Sequence, residues 1–328
     1  MEQEIMVSIS CLVYNHAKYL RKCLDGFVMQ KTNFKFEVLI HDDASTDGSQ
    51  DIIREYEEKY PDIIKPIYQT ENQYSKHISI GKTYQYPRLK GKYIAFCEGD
   101  DYWCDDHKLQ KQFDIMEMNS DCSMCVHRVQ DVSECGELLN KFRPFDEPVL
   151  NKFDLNEYLK FISNGKFHPF QTSSYFIRRE VYEKINMDTP DYAKISKVGD
   201  VIIVLTSLTI GKIYYLSAVL SNYRICSVGS WSARLKKSND SIVLNENNMI
   251  DVLESFNEYT KFEYDELLNE IILSKKLSVY ILTERYKLLF EKSNRKLLKK
   301  LSYKERLFYF LMAYFPWLMS KYLKIKGG

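Results

Sequence analysis

Strand-like and helix-like patterns alternate through the first hundred residues, and that alternation constrains the fold more than any other feature. Ile5 to Val13 reads as an apolar strand, and Ala17 to Gln30 has helical spacing with Leu20, Leu24, Phe27 and Val28 on one side. Phe36 to Ile40 is a second strand. Ser49 to Tyr60 is an amphipathic helix entered through Asp47-Gly48-Ser49 and stopped before Pro61. Ile63 to Tyr68 and Tyr93 to Cys97 complete the set. Strands spaced by helices pair in parallel, so the expected class is α/β, a layered sheet flanked by helices.

In such sheets ligands bind beyond the carboxyl ends of the strands. Three features fall there: Tyr14-Asn15 after the first strand, Asp42-Asp43-Ala44-Ser45-Thr46-Asp47-Gly48-Ser49 after the second, and Glu98-Gly99-Asp100-Asp101 after the fourth. Carboxylates repel one another, so a fold that gathers them neutralises them with a cation or uses them to accept hydrogen bonds. The clusters point to a site for a metal and a polar, phosphate-bearing ligand. Asp47-Gly48-Ser49 reads as cap and turn for the helix that follows.

Beyond residue 120 the elements are short and mixed. Met124 to Val132 and Ser173 to Ile177 read as strands, and Leu155 to Ile162 and Val201 to Leu208 as helices. Lys212 to Leu216 and Val219 to Ile225 are further strand candidates. From Asn239 onward everything reads as helical, so we set a boundary near residue 235: a first domain over 1–235, with halves of about 1–120 and 121–235, and a helical region over 236–328.

The net charge of +1 hides an asymmetry, since residues 292–328 carry ten Lys or Arg against Glu305 alone, a net +9 that leaves −8 on the remainder. A basic tail on an acidic body suggests an anionic partner for the tail. The body would oppose wrapping by a polyanion, so no nucleic acid is expected. Leu307 to Met319 is an apolar run with basic residues on both sides. It is too short to span a bilayer, which takes roughly 20 residues, and suits a helix in the lipid headgroup region. Core packing or a dimer interface is the alternative. The acidic start at Met1-Glu2-Gln3-Glu4 does not resemble a signal peptide, so the reading is a cytoplasmic protein with reduced thiols. Cys122-Ser123-Met124-Cys125 lacks a second paired-ligand module, and two strand cysteines explain it better than zinc.

The ordered set Val7-Ser8-Ile9-Ser10 to Tyr14-Asn15, Glu37-Val38-Leu39-Ile40 to Ser49, and Glu98 to Trp103 resembles the signature of family 2 glycosyltransferases. The likeness continues through Lys108-Leu109, Gln171 to Ser174, Gly199-Asp200 and Tyr223-Arg224, and covers roughly residues 5 to 232. It implies a GT-A fold: a mixed, mostly parallel sheet with a nucleotide-binding half merged to an acceptor half, here with a C-terminal helical appendage. It implies an inverting enzyme that moves a sugar from a nucleotide-diphosphate sugar, UDP by family default, to a saccharide or lipid-linked saccharide. The setting would be surface-polysaccharide synthesis at the inner face of the cytoplasmic membrane. Mn²⁺ or Mg²⁺ would hold the diphosphate.

By position, the resemblance makes Asp101 the metal-binding aspartate, with Asp100 on ribose or the metal and Glu98 reaching the metal directly or through water. Asp42, Asp43, Tyr14 and Asn15 match the nucleotide-binding positions. Asp200 is the candidate general base; as a bare observation it is a helix cap. His168, Gln171, Thr172 and Ser174 match a polar stretch on the acceptor side, with burial as satisfied polar strand residues an equal alternative, and Arg224 could pair with phosphate or make a surface or structural ion pair. Trp103 and Trp231 either stack on sugar or pack, and packing is favoured. Cys226 stands where many relatives carry a His, which leaves a third protein ligand open. The competing functions are a non-catalytic nucleotide-sugar- or membrane-binding scaffold and a sugar nucleotidyltransferase, the latter disfavoured because no Gly-rich basic loop follows the first strand.

Overall fold

The computed structural model describes residues 4–164, 169–225 and 238–317. His168, Cys226 and Trp231 lie outside these residues. The chain divides into two compact units, Met1–Pro190 with Val198–Ala233, and Asp191–Lys197 with Arg234–Gly328.

The first unit is a mixed α/β sheet flanked by helices. Its strands are β1 (Ile5–Val13), β2 (Lys35–Asp42), β3 (Ile64–Tyr68), β4 (Tyr93–Phe96), β5 (Tyr102–Trp103), β6 (Cys122–Val132), β7 (Leu138–Arg143), β8 (Lys152–Phe153), β9 (Phe176–Arg178) and β10 (Lys212–Arg224). They run in the order β3-β2-β1-β4-β9-β6-β10-β5, with β7 on β6 and β8 on β10. β3, β2, β1 and β4 are mutually parallel, as is the long β6–β10 pair; β9 joins the two groups antiparallel. The helices are α1 (Ala17–Val28), α2 (Ser49–Lys59), α3 (Lys108–Met118), α4 (Leu155–Asn164), α5 (Arg179–Asn186) and α7 (Gly199–Ile210).

Both faces of the parallel group are covered, which is why its strands read as nearly continuous apolar runs. On one face Val7, Ile9, Cys11, Val38, Ile40 and Ala95 pack against Leu20, Leu24 and Phe27 of α1, Ile53 of α2 and Leu109 of α3. The other face carries a buried polar set: Ser8 donates to Glu37 at 2.7 Å, and Gln85 donates to the carbonyls of Leu39 and Cys11 and to Ser10. Gly91 lets the chain pass under β1 into β4, because a Cβ there would stand 2.5 Å from the Ser8 nitrogen.

Three local expectations differ. The segment expected as a strand from Ser173 is a 3₁₀ turn over Thr172–Ser174, and only Phe176–Arg178 joins the sheet, because the Ser174 hydroxyl bonds back to the Gln171 carbonyl. The two strand candidates after Lys212 are one strand with register shifts against β6 near Val219. The second unit also takes α6 (Asp191–Ile195), a segment that the boundary near 235 left with the first.

In that second unit Tyr192 of α6 packs edge-on against Phe256 at 5.0 Å and meets Tyr259 at 5.1 Å, both on α8 (Asn239–Tyr259). α9 (Asp265–Leu282) lies along α8 and buries a Lys275–Glu246 ion pair. α10 (Arg295–Lys300) and α11 (Tyr303–Tyr314) follow. No helix among the described residues is long and apolar enough to cross a membrane.

Candidate active site

The end of β1 lies between the ends of β2 and β4. Val13 is in register with Asp42, and Ser10 with Phe96. The Asp43 amide donates to the Val13 carbonyl at 2.9 Å and the Gly99 amide to the Leu12 carbonyl at 3.0 Å. The two acidic loops therefore flank Tyr14-Asn15, about 10 Å apart at two strand spacings. Gly99 is required there, because a Cβ would sit 2.8 Å from the His16 ring.

Asp42 is the last residue of β2 and fully buried. Its Oδ1 accepts the Ser45 amide at 3.0 Å and Gln50 Nε2 at 2.7 Å; its Oδ2 has no donor among the described residues. A buried carboxylate oxygen left unsatisfied costs on the order of 1–3 kcal/mol, so it is primed for a ligand N–H or O–H. Asp43 is engaged instead. Its two oxygens accept the Gln73 amide at 2.7 Å and the Tyr74 amide at 3.0 Å, anchoring the loop after β3.

Asn15 and Ala44 both take left-handed backbone, at φ +56° and +64°. Asn tolerates this; for Ala it is strain of the kind stored at functional sites. The Asn15 side chain accepts the Thr46 amide at 2.8 Å, and Ser45 Oγ accepts the Asn15 amide at 2.9 Å, so the two loops brace each other. Tyr14 is 48% exposed at this edge. Asp47 accepts both the Ser49 amide and the Ala17 amide, tying together the starts of α1 and α2. Burial would raise its carboxyl, but these bonds and the one from the Ser49 hydroxyl hold it below its usual range.

The second acidic loop turns on the Asp101 amide, which donates to the Glu98 carbonyl at 3.0 Å. Asp101 is 5% exposed, and its Oδ1 accepts the Arg224 amide at 2.8 Å. Burial, with the charge of Asp100 next, pushes its carboxyl well above the usual carboxylate range. Burial also pushes Glu98 up to about 8, with Asp100 and Asp200 adding to the rise. Asp200 sits in the first turn of α7 and accepts the Val201 amide at 2.8 Å. Besides burial, its charge raises the Tyr158 and Tyr175 hydroxyls. Two segments about a hundred residues apart in sequence thus bring Glu98, Asp100, Asp101 and Asp200 into one electrostatic neighbourhood.

The family model for glycosyl transferase family 2 matches residues 8–185. This chain belongs to that family. An uncharacterized glycosyltransferase of Nostoc sp. is 30% identical over 219 residues, 67% of this chain and 64% of that protein. A Bacillus subtilis protein named for teichuronic acid biosynthesis, TuaG, is 31% identical over 137 residues, 42% of this chain and 52% of its own. An uncharacterized Mycobacterium tuberculosis protein is 40% identical over 140 residues, 42% of this chain and 39% of its own. The matches thus span between about two fifths and two thirds of these relatives. Among solved structures, S. aureus TarS 1-349 aligns with TM-score 0.58 at 18% identity, over 94% of this chain and 81% of that one. The mannosyltransferase PcManGT from Pyrobaculum calidifontis, solved with GDP-Man and Mn²⁺, aligns with TM-score 0.51 at 15% identity, over 95% and 86%. At these identities the likeness shows the GT-A fold.

Within this family 2 fold, the carboxylates of the second loop fit a divalent cation. Glu98 and Asp101 make no ion pair among the described residues, and burial with the charge of Asp100 raises both carboxyls, an effect that Arg224 offsets only in part at Asp101. Asp101 keeps one oxygen for the Arg224 amide and has a second to offer. A tighter group, Asp105-Asp106-His107, brings its ligand atoms within 4.8 Å, and no other three such residues among those described come so close. That group is already neutralised: Lys31 pairs with Asp106 at 2.5 Å and Lys111 with Asp105 at 2.6 Å.

Two expected roles need correction. The Arg224 guanidinium, expected to pair with phosphate, donates to the carbonyls of Asp100, Ser133 and Glu134 at 2.8–3.1 Å and lies 4.5 Å over the Tyr19 ring. It clamps the acidic loop from behind. The Ser174 hydroxyl, expected to face acceptor, is fully buried and bonded to the Gln171 carbonyl at 2.6 Å. Gln171 remains partly exposed. Trp103 packs, as favoured: it is 1% exposed, edge-on to Phe27 at 4.8 Å, with the buried Lys108 ammonium 4.0 Å above its ring. The sequence reading missed Gln50, the loop over Asn72–Tyr74, and Tyr158 and Tyr175. Gln50 was hidden within the helix start, and no local pattern marks the others.

Proposed function

We propose that this chain is an inverting glycosyltransferase that moves a sugar from a nucleotide-diphosphate sugar to a hydroxyl of a saccharide or lipid-linked saccharide. The observation that carries the reading is the group of carboxylates on the second loop, with Glu98 and Asp101 raised by burial and by Asp100, set across β1 from the open Asp42 oxygen. That spacing suits a nucleoside at one end and a diphosphate with its cation at the other. The fold likeness to TarS, solved with UDP and with UDP-GlcNAc, and to PcManGT supports a donor of this class.

Asp42 accepts an N–H of the base or a ribose hydroxyl on Oδ2. Tyr14 covers the base, and Asn15 and Asp43 hold the walls: the first braces the Ser45-Thr46 turn, the second positions Gln73 and Tyr74. Asp101 and Asp100, with Glu98 through water, would hold Mn²⁺ or Mg²⁺, which when bound offsets charge growing on the departing diphosphate. Neutralising that centre also returns Asp101 and Glu98 to their ionised state. Asp200 takes the proton from the acceptor hydroxyl as it attacks the anomeric carbon opposite the diphosphate, so configuration inverts. Gln171 orients the acceptor. We place the enzyme at the inner face of the cytoplasmic membrane in surface-polysaccharide assembly, a reading supported by the likeness to TuaG.

A panel of UDP-, GDP- and TDP-sugars with Mn²⁺, read by release of nucleoside diphosphate and by thermal stabilisation, tests the reading. We expect one nucleotide series to be hydrolysed slowly and to stabilise the chain. A panel in which no donor does either overturns it.

A further inference from the structure

The second unit carries a face that the catalytic reading leaves unused. The apolar run after Lys304 is not one helix: α11 covers Tyr303–Tyr314, opened by a capping box between Ser302 and Glu305, and Phe315 leaves helical geometry ahead of Pro316. One side of α11 packs inward, with Tyr309 stacked on Tyr286 at 5.4 Å and Ala313 buried. The adjoining side presents Tyr303, Leu307, Phe310 and Tyr314, spaced four, three and four residues apart, so they form one stripe, whose Phe310 and Tyr314 also meet the edge of Phe290 at 5.5 and 5.9 Å. They are 79%, 48%, 39% and 47% exposed, and Trp317 beyond the helix is 60% exposed. Large apolar side chains exposed together on one face mark a docking surface.

Charge identifies the partner. Lys292, Arg295, Lys296, Lys299 and Lys304 are exposed and make no ion pair among the described residues. Glu305, the acid in this stretch, is used in the capping box. Two such surfaces would repel each other, which disfavours a second copy of the chain. An anionic bilayer matches both features, because its headgroups attract the cations and its interface accepts Tyr, Trp and Phe rings.

We infer that the α11 stripe, with the five cations preceding and beginning it, is an in-plane docking surface for anionic phospholipid. This deepens the membrane part of the proposed function and depends on no catalytic step. The test is co-sedimentation of the full chain with vesicles of phosphatidylcholine alone and of phosphatidylcholine mixed equally with phosphatidylglycerol. Binding is expected to the mixed vesicles and to weaken with salt. Tyr303→Ser, Leu307→Ser and Trp317→Ser together should reduce it at least about tenfold while circular dichroism stays unchanged. Each of Lys296→Gln and Lys304→Gln should weaken it about fivefold, the equivalent of about 1 kcal/mol per cation near an anionic surface. Equal binding to neutral vesicles, or binding unmoved by these substitutions, overturns the inference. So does a concentration-dependent dimer, seen by sedimentation velocity, that the same substitutions abolish while vesicle binding is absent. Donor hydrolysis needs no vesicle, so failure here leaves the catalytic reading standing, and the reverse holds.

Discussion

Asp101→Asn should act in opposite directions on stability and on ligand binding, and the structure sets both signs. Without a cation, Asp101 and Glu98 are buried close to Asp100, and both carboxyls lie above their ordinary range. The folded state then holds protons that the unfolded chain has released, so wild-type stability is highest in mild acid and falls as pH rises toward Glu98's value of about 8. Raising that carboxyl from 4.5 to about 8 corresponds to at most about 5 kcal/mol once it is fully ionised. Asn at position 101 can still accept the Arg224 amide through its side-chain oxygen while removing a carboxylate that burial, Asp100 and Glu98 all oppose. In EDTA at pH 8 the variant should gain on the order of 2 kcal/mol, a rise in Tm of roughly 4–8 °C. At pH 5 the gain should shrink, because wild type is already protonated there. With Mn²⁺ and UDP the sign reverses, since the cation loses a ligand. Removing one partner of a buried charge pair costs about 3–5 kcal/mol, so affinity should fall by roughly two to four orders of magnitude. Melting curves at both pH values and calorimetric titration of UDP with Mn²⁺ read the two effects separately. A variant that melts below wild type at pH 8 without metal, or that binds Mn²⁺ and UDP equally well, refutes the assignment.

Asp200→Asn should leave donor binding intact and lower turnover about 10²-fold or more, as expected for loss of a general base; steady-state kinetics with a working donor would show unchanged turnover if the role is wrong. Arg224→Met removes the guanidinium bonds to the Asp100, Ser133 and Glu134 carbonyls and should cost about 2–4 kcal/mol in chemical denaturation. The same change should raise KM for donor, because the acidic loop loses its clamp. A Tm within a degree of wild type would show that Arg224 is not structural.

The nucleotide half was legible in the sequence because its signals are local. Strands β1, β2 and β4 are mostly apolar and buried over their central residues, and each ends at a polar cluster whose place beyond the sheet edge follows from parallel topology alone. The resemblance supplied roles for those clusters, but it could not separate Asp42 from Asp43. Both are buried; only the partners distinguish them, since Asp43 is occupied by two backbone amides while Asp42 keeps one oxygen open. The same limit applies to Arg224. A guanidinium next to an acidic motif suggests phosphate until the carbonyls that it serves are in view, and two of those belong to Ser133 and Glu134, some ninety residues away.

The acceptor half was less legible because its order comes from tertiary packing. The Ser173 stretch has strand composition, yet the hydroxyls offer the backbone a competing set of bonds and turn it into a 3₁₀ segment. Asp200 illustrates the opposite case. By local pattern it is a helix-start acid, and its bond to the Val201 amide agrees with that. Its reach to Glu98, Tyr158 and Tyr175 comes only from the way α7 packs against the sheet. A bond to the helix start and a base are compatible roles for one carboxylate, because the Val201 amide fixes the side chain's position without removing its capacity to take a proton. Turnover of Asp200→Asn against that of Asp200→Ser separates them, because Ser keeps the cap and loses the proton acceptor. If the two variants are equally stable and equally inactive, the carboxylate works in the chemistry; if Ser restores activity, Asp200 only holds the helix.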